Sequence, residues 1–415
     1  MRRPITHQSD PTMLASVAKA AVVAALSLSL MGGCTRSEPK DPRRPVLETY
    51  AQIVLATYED TLSASRELDD AIDALLANPS EQTLSAARER WRAARIPYSY
   101  SEAFRFYAGP IDSETGPEGQ LNGWPLDENH IDAVATDKYN AAPGLNIIGD
   151  AKRFPQITTE LIAAQNEAGG EKNIASGFHA IEFLLWGQDW NQPADSAGQR
   201  PHTDFIPNGD PATDVNARRG QYLKAASKLL LTDLESVAAQ WRVSQQSNYR
   251  TDFVQGDVYT GLKRMFTGIA ALAEVEMAGE RMNVPLLSSD QEEEQSCFSD
   301  ATADELRANA AGIEHVYFAT YKRLDGTTIS GPSLADLVKA KDARAAEELE
   351  ARITRTREAL AAIKNPFDRE ILAENTEGRT RMQAAIDSLR AETLSMARGA
   401  RAIEIFLSDL EGLGD

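Results

Sequence analysis

Apolar residues recur every three to four positions along most of this chain, and that spacing predicts helices. The first covers 46–77 and stops at Asn78-Pro79. A second covers 80–107, with Ser80 as its cap candidate and Glu81 behind it, and closes at Gly109-Pro110. Further helical runs cover 217–241, 257–282, 302–324, 341–363 and 379–410. The run 341–363 alternates charge and reads as the outer face of a bundle. No run alternates strictly enough to predict a strand. Residues 108–150 and 188–215 are rich in Gly, Pro, Asn and Asp and read as long ordered loops. Such loops in a compact domain are usually functional or strongly packed.

The patterning is different at the start. Arg2 and Arg3 precede a polar stretch and Lys19, an apolar segment covers 20–30, and Met31-Gly32-Gly33-Cys34 follows. A charged start, a short apolar core and small residues make a secretory signal. The core is too short for a membrane span. Small residues directly before a cysteine resemble a bacterial lipobox, so we expect cleavage before Cys34, a lipid on Cys34 and a membrane anchor facing the periplasm. The chain has two cysteines. Lipidation would use one, leaving Cys297 without an intrachain partner and no disulfide expected.

The 415 residues, less the signal, are enough for two domains. The formal charge is −19, and removing the first 33 residues (three basic groups, one acidic) takes it to −21. Nucleic-acid binding needs a positive footprint, so no nucleic-acid partner is expected. The acidic run Asp290-Gln291-Glu292-Glu293-Glu294 lacks the spacing of a calcium loop and reads as a solvated linker face.

The candidate chemistry centres on Gly177-Phe178-His179-Ala180-Ile181-Glu182-Phe183-Leu184-Leu185-Trp186-Gly187. Three residues apart on a helix, His179 and Glu182 share a face inside an apolar run. A sheltered polar pair must be satisfied, by a metal or by another polar group. This Gly-x-His-x-x-Glu motif with Phe-Leu-Leu-Trp-Gly resembles the signature of the imelysin-like family of bacterial envelope proteins. The segment from Trp91 to Phe106, the loop pieces Gly109-Pro110-Ile111-Asp112 and Asn122-Gly123-Trp124-Pro125-Leu126-Asp127, and Gln295-Ser296-Cys297-Phe298-Ser299-Asp300 are similar to further family segments. The resemblance runs from about Leu47 onward. One departure is that Ala301 and Ala303 stand where the family pattern has Asn and His.

The resemblance implies an all-α fold of two four-helix-bundle-like domains with a site at their interface, and an association with iron uptake. We place the signal at 1–33, a tether at 34–45, an N-terminal bundle at 46–245 and a C-terminal bundle at 246–415. An internal echo supports duplication: Gly399-Ala400-Arg401-Ala402-Ile403-Glu404-Ile405-Phe406-Leu407 aligns with the motif, with Arg401 in place of His179.

Imidazole and carboxylate suit iron(II) and zinc. The expected metal ligands are His179, Glu182, Glu102 and Asp300, supported by Arg105 and Ser299. The alternative is a buried ion-pair network, Glu102 with Arg105 and Glu182 with His179 or Arg95. His130 and His202 read as loop histidines and His315 as a satisfied helical one. Cys297 reads as a small buried residue, and Trp124 and Trp186 as packing anchors. Three functions follow. The first is an iron-linked binding protein for a metal ion or metal complex. The second is a hydrolase, after the family's proposed peptidase activity. The third is an adaptor for an envelope redox or transport partner. A zincin needs His-Glu-x-x-His, and here Ala180 and Phe183 occupy the Glu and second His positions.

Overall fold

The computed structural model describes residues 41–134, 146–189 and 197–407. The predicted signal and Cys34 lie outside them. The architecture is all-α, as the apolar spacing predicts. The long helices are α1 (Arg44–Ala77), α2 (Glu81–Ser101), α3 (Gly177–Trp186), α4 (Val215–Trp241), α5 (Val258–Ala271), α6 (Thr302–Phe318), α7 (Ala343–Ala362) and α8 (Thr376–Ala402). Helix α1 packs on α2 and α4, and α3 packs on α2 and α4. In the second half α7 packs on α8, and α6 on α7. Helix α2 also packs on α6, so it is shared by both groups. The described residues form one compact unit, and their buried apolar core extends from Val46 to Ile405. The expected boundary at 245/246 falls between α4 and the short helix Tyr249–Gln255, and the core continues across it.

Local chemistry sets the ends of α2. The Ser80 hydroxyl accepts the Thr83 N–H at 3.2 Å, and the Thr83 hydroxyl accepts the Ser80 N–H at 3.0 Å, a capping box. The helix ends at Ser101 and tightens through Glu102–Phe104 instead of reaching 107. The Asp112 carboxylate is the reason. It accepts the N–H groups of Phe106, Tyr107 and Gly109 at 2.5, 3.1 and 2.6 Å, and Phe106 and Ala108 take positive φ to present them.

Other differences are instructive. The expected helix 257–282 is regular only to Ala271 and then widens into π turns over Leu272–Asn283. The loop 108–150 holds short helices at Glu118–Asn122 and Glu128–Ile131. A small antiparallel hairpin, Thr320–Lys322 with Thr328–Ser330, turns at Asp325-Gly326 and was not expected; three residues per strand are too few to show alternation. The duplication is not confirmed. Gly177 opens α3, whereas Gly399 lies in the last turn of α8 and Glu404 is exposed with φ 64°. None of the described helices is long and apolar enough to cross a membrane.

Candidate functional site

Every residue of α3 is buried. The helix starts where the backbone of 120–121 crosses it. Gly177 has φ 79°, and a Cβ there would overlap the carbonyl oxygens of Leu121 and Gln120. Only glycine meets both demands, which explains the first position of the motif.

Two residues on, His179 Nδ1 lies 2.8 Å from Glu182 Oε2, and Glu182 Oε1 accepts the Ser299 N–H at 2.9 Å. Both carboxylate oxygens are therefore engaged. A carboxylate facing Nδ1 assigns the neutral ring its proton there and leaves the lone pair on Nε2. His179 Nε2 is buried and has no hydrogen-bond partner. The Ser299 carbonyl accepts from Arg92, and the Ser299 hydroxyl is buried without a partner.

Arg95 walls one side. It grips Glu305 with two bonds of 2.7 Å and Asn122 with one of 2.6 Å, and lies over the Phe178 ring at 5.1 Å. Ser296 adds a hydroxyl to Glu305 at 2.9 Å. Burial is the largest influence on Glu305 and opposes its charge. Arg95 foremost, with Ser296, outweighs it and holds the carboxyl below its usual range. Trp186 packs edge-on against Trp91 at 5.3 Å, the anchor role expected of it.

The four expected ligands fall into three places. His179 and Glu182 are together. Glu102 is held by Arg281, by Arg105 at 3.5 Å and by Asn309 at 3.2 Å, and Arg281 also binds Glu276 at 2.9 Å. Burial pushes the Glu102 carboxyl up, but Arg281 and then Arg105 and Arg95 bring it down to about 2. Arg105 meets Glu118 at 3.0 Å as well. Glu102 and Arg105 are thus part of an ion-pair network, the alternative that the sequence left open.

Asp300 is in the third place, with Asp189 and Asp368. Among the described residues, these three form the group whose ligand atoms all lie within 4.8 Å of one another. Asp189 and Asp368 are buried and Asp300 is partly so. Burial first, then Asp368 and Asp189, pushes the Asp300 carboxyl up to about 7. Burial first, then Asp189, pushes Asp368 to about 6. The acidic run 290–294 is not a solvated face, because Glu294 at its end is buried. Burial, Asp300 and Asp368 hold Glu294 well above the carboxylate range. Cys297 is half-buried, and burial followed by Glu292, Glu182, Glu128 and Glu294 raises its thiol well above the ordinary value.

The remaining histidines lie apart. His130 bonds the Gln165 carbonyl at 3.0 Å and His202 bonds Glu81 at 2.7 Å. His315 packs between Tyr100 and Tyr321, where burial takes it down to about 4.

The imelysin family model matches residues 54–396. The chain belongs to the imelysin family. Among curated relatives, iron-regulated protein A of Synechococcus elongatus is 23% identical over 385 residues, which are 89% of this chain and 91% of that protein. Two crystal structures share the fold. One is described as an iron-regulated protein A precursor from Parabacteroides distasonis, with TM-score 0.66 and 20% identity, covering 88% of this chain and 97% of that one. The other is an imelysin-like protein from Psychrobacter arcticum, with TM-score 0.63, 17% identity and the same coverages.

Within this imelysin-family fold, sequence reasoning missed Arg281, Asn309, Glu305, Asp189 and Asp368. Arg281 has no local signal, since it lies 179 residues from Glu102. Asp189 had a faint one, two residues past the glycine that ends the motif helix.

Proposed function

We propose that this protein is a lipid-anchored, periplasm-facing envelope protein linked to iron acquisition, and that it binds a metal ion or metal complex at the motif helix. The observation that carries this reading is the buried, unpartnered Nε2 of His179, with Nδ1 held by Glu182. A carboxylate that orients a histidine and raises the basicity of its far nitrogen is a common support for a metal ligand. His179 is then the ligand atom's residue and Glu182 the group that aims it. Ser299 fixes Glu182 in turn through its N–H. Glu102 and Arg105 act on the architecture around the site. Iron is the favoured cargo, because the relative from Synechococcus elongatus is named for regulation by iron; zinc suits the same donor. Cys34 carries the lipid.

The test is metal content and Fe(II), Fe(III) and Zn(II) titration of the soluble chain beginning after Cys34, beside His179→Ala and Glu182→Ala. Stoichiometric binding lost in His179→Ala and weakened about 10- to 100-fold in Glu182→Ala, with helicity intact, is the expected result. No binding by the unmodified chain would favour the adaptor role. Chelator-sensitive cleavage of a peptide would favour the hydrolase. Cys34→Ser should move the protein from the membrane fraction to the soluble one.

A further inference from the structure

Asp189, Asp300 and Asp368 come from three separate segments: the exit of α3, the approach to α6 and the short helix Asp368–Ile371. Their carboxylate oxygens converge within 4.8 Å. Ligands around a cation at about 2.4 Å are at most about 4.8 Å apart, so this spread matches one coordination sphere. Arginines grip Glu102 and Glu305, whereas Arg92, whose charge acts on Asp300, turns its guanidinium to the Ser299 carbonyl. A second observation points the same way. Glu294, 2% exposed, adds a fourth carboxylate beside Asp300 and Asp368, with the Thr302 hydroxyl close by but no bond of ordinary hydrogen-bond geometry at either oxygen. Asp368 Oδ1 and Asp300 Oδ1 are also buried without partners. Sheltered carboxylates gathered with open acceptors are relieved by a shared proton or by a cation, and the spread of their oxygens fits the cation.

We infer that Asp189, Asp300 and Asp368 form a second site, separate from His179 Nε2, for a hard, oxygen-preferring cation of the Ca2+ or Mn2+ kind, with Glu294 backing it. All three ligands are carboxylates, the donor set that such cations prefer. A bound cation would tie the end of the motif helix to the approach of α6 and to the turn before α8. It does not depend on His179 taking a metal.

The experiment uses the full-length protein in detergent, stripped with EDTA and desalted. Mn2+ is titrated and read by electron paramagnetic resonance, with Ca2+ as competitor. The expected result is one Mn2+ per chain, displaced by Ca2+ and bound about tenfold or more weakly in Asp189→Asn and Asp368→Asn. Binding should be retained in His179→Ala. In parallel, Ca2+ should raise the melting temperature of the unmodified protein and leave both Asn variants unchanged. Asp→Asn keeps the shape and removes repulsion, so both variants should fold. Absence of stoichiometric Mn2+ binding, or equal binding in both Asn variants, would overturn the site. Loss of Mn2+ in His179→Ala would overturn its separateness and merge it with the motif site.

Discussion

Glu102 and Asp300 are both sheltered carboxylates of one fold, yet their surroundings are opposite. Glu102 lies among Arg281, Arg105 and Asn309, and its carboxyl is held down at about 2. Asp300 lies among Asp189, Asp368 and Glu294, and its carboxyl is pushed up to about 7. Burial opposes charge at both. What differs is the dominant charged neighbour, arginine at Glu102 and other carboxylates at Asp300. Where arginine dominates, the carboxylate joins α2 to the π turns and to α6 and is architecture. Where carboxylates gather instead, we infer a place for a cation.

The largest effect expected from this contrast is at Arg281. Replacing it by Met leaves Glu102 and Glu276 facing each other without their shared cation. Urea denaturation should show a loss of about 3–5 kcal/mol. A loss below about 1 kcal/mol would mean that Arg105 alone suffices and that the contrast is overstated.

Acid should show nearly as much. With a folded pKa of about 2 against an ordinary 4.5, Glu102 contributes on the order of 3 kcal/mol. Its folded pKa is depressed, so the contribution is present above pH 4.5 and is lost as pH falls toward 2. Glu102→Gln should remove that part of the acid slope. The aspartate group has the opposite sign. Raised folded pKa values of about 7 and 6 for Asp300 and Asp368 favour the folded state fully below about pH 4, and that support is lost as pH rises through 6–7. Stability in EDTA should therefore fall across this window, and Asp368→Asn should flatten the fall. A flat profile in the unmodified protein would remove the electrostatic half of the comparison.

Gly177→Ala probes the motif helix, whose exit leads to Asp189. Positive φ and the close carbonyls of 120–121 should cost about 2 kcal/mol or more. His179→Ala, with Nε2 unpartnered, should cost the metal-free fold least, about 1–2 kcal/mol measured by the same denaturation. A larger loss would make the pair a structural one.

The legible part of the site was the motif. Gly177, His179 and Glu182 are close in sequence, and the three-residue step on a helix dictates that the two side chains meet. Ser299 was legible only by resemblance, and it acts through its backbone N–H, an atom that residue type does not reveal. Glu102 and Asp300 were recognisable as candidates but not as occupants of different places. The echo at Gly399 showed the opposite weakness, since five coinciding residues in nine meant neither equal structure nor equal burial.

By itself, the sequence determined an all-α fold, the beginnings of most long helices, the sheltered His179–Glu182 pair and membership of the imelysin family. These rest on local periodicity, caps and short motifs, which act over a few residues. Only the tertiary structure decided which carboxylates are gripped by arginines and which gather with one another. Arg281 reaches Glu102 across 179 positions, Arg95 reaches Glu305 across 210, and Asp189, Asp300 and Asp368 converge from three segments. Charge compensation depends on distance through space in a poorly polarisable interior, and helical spacing along the chain carries no record of it.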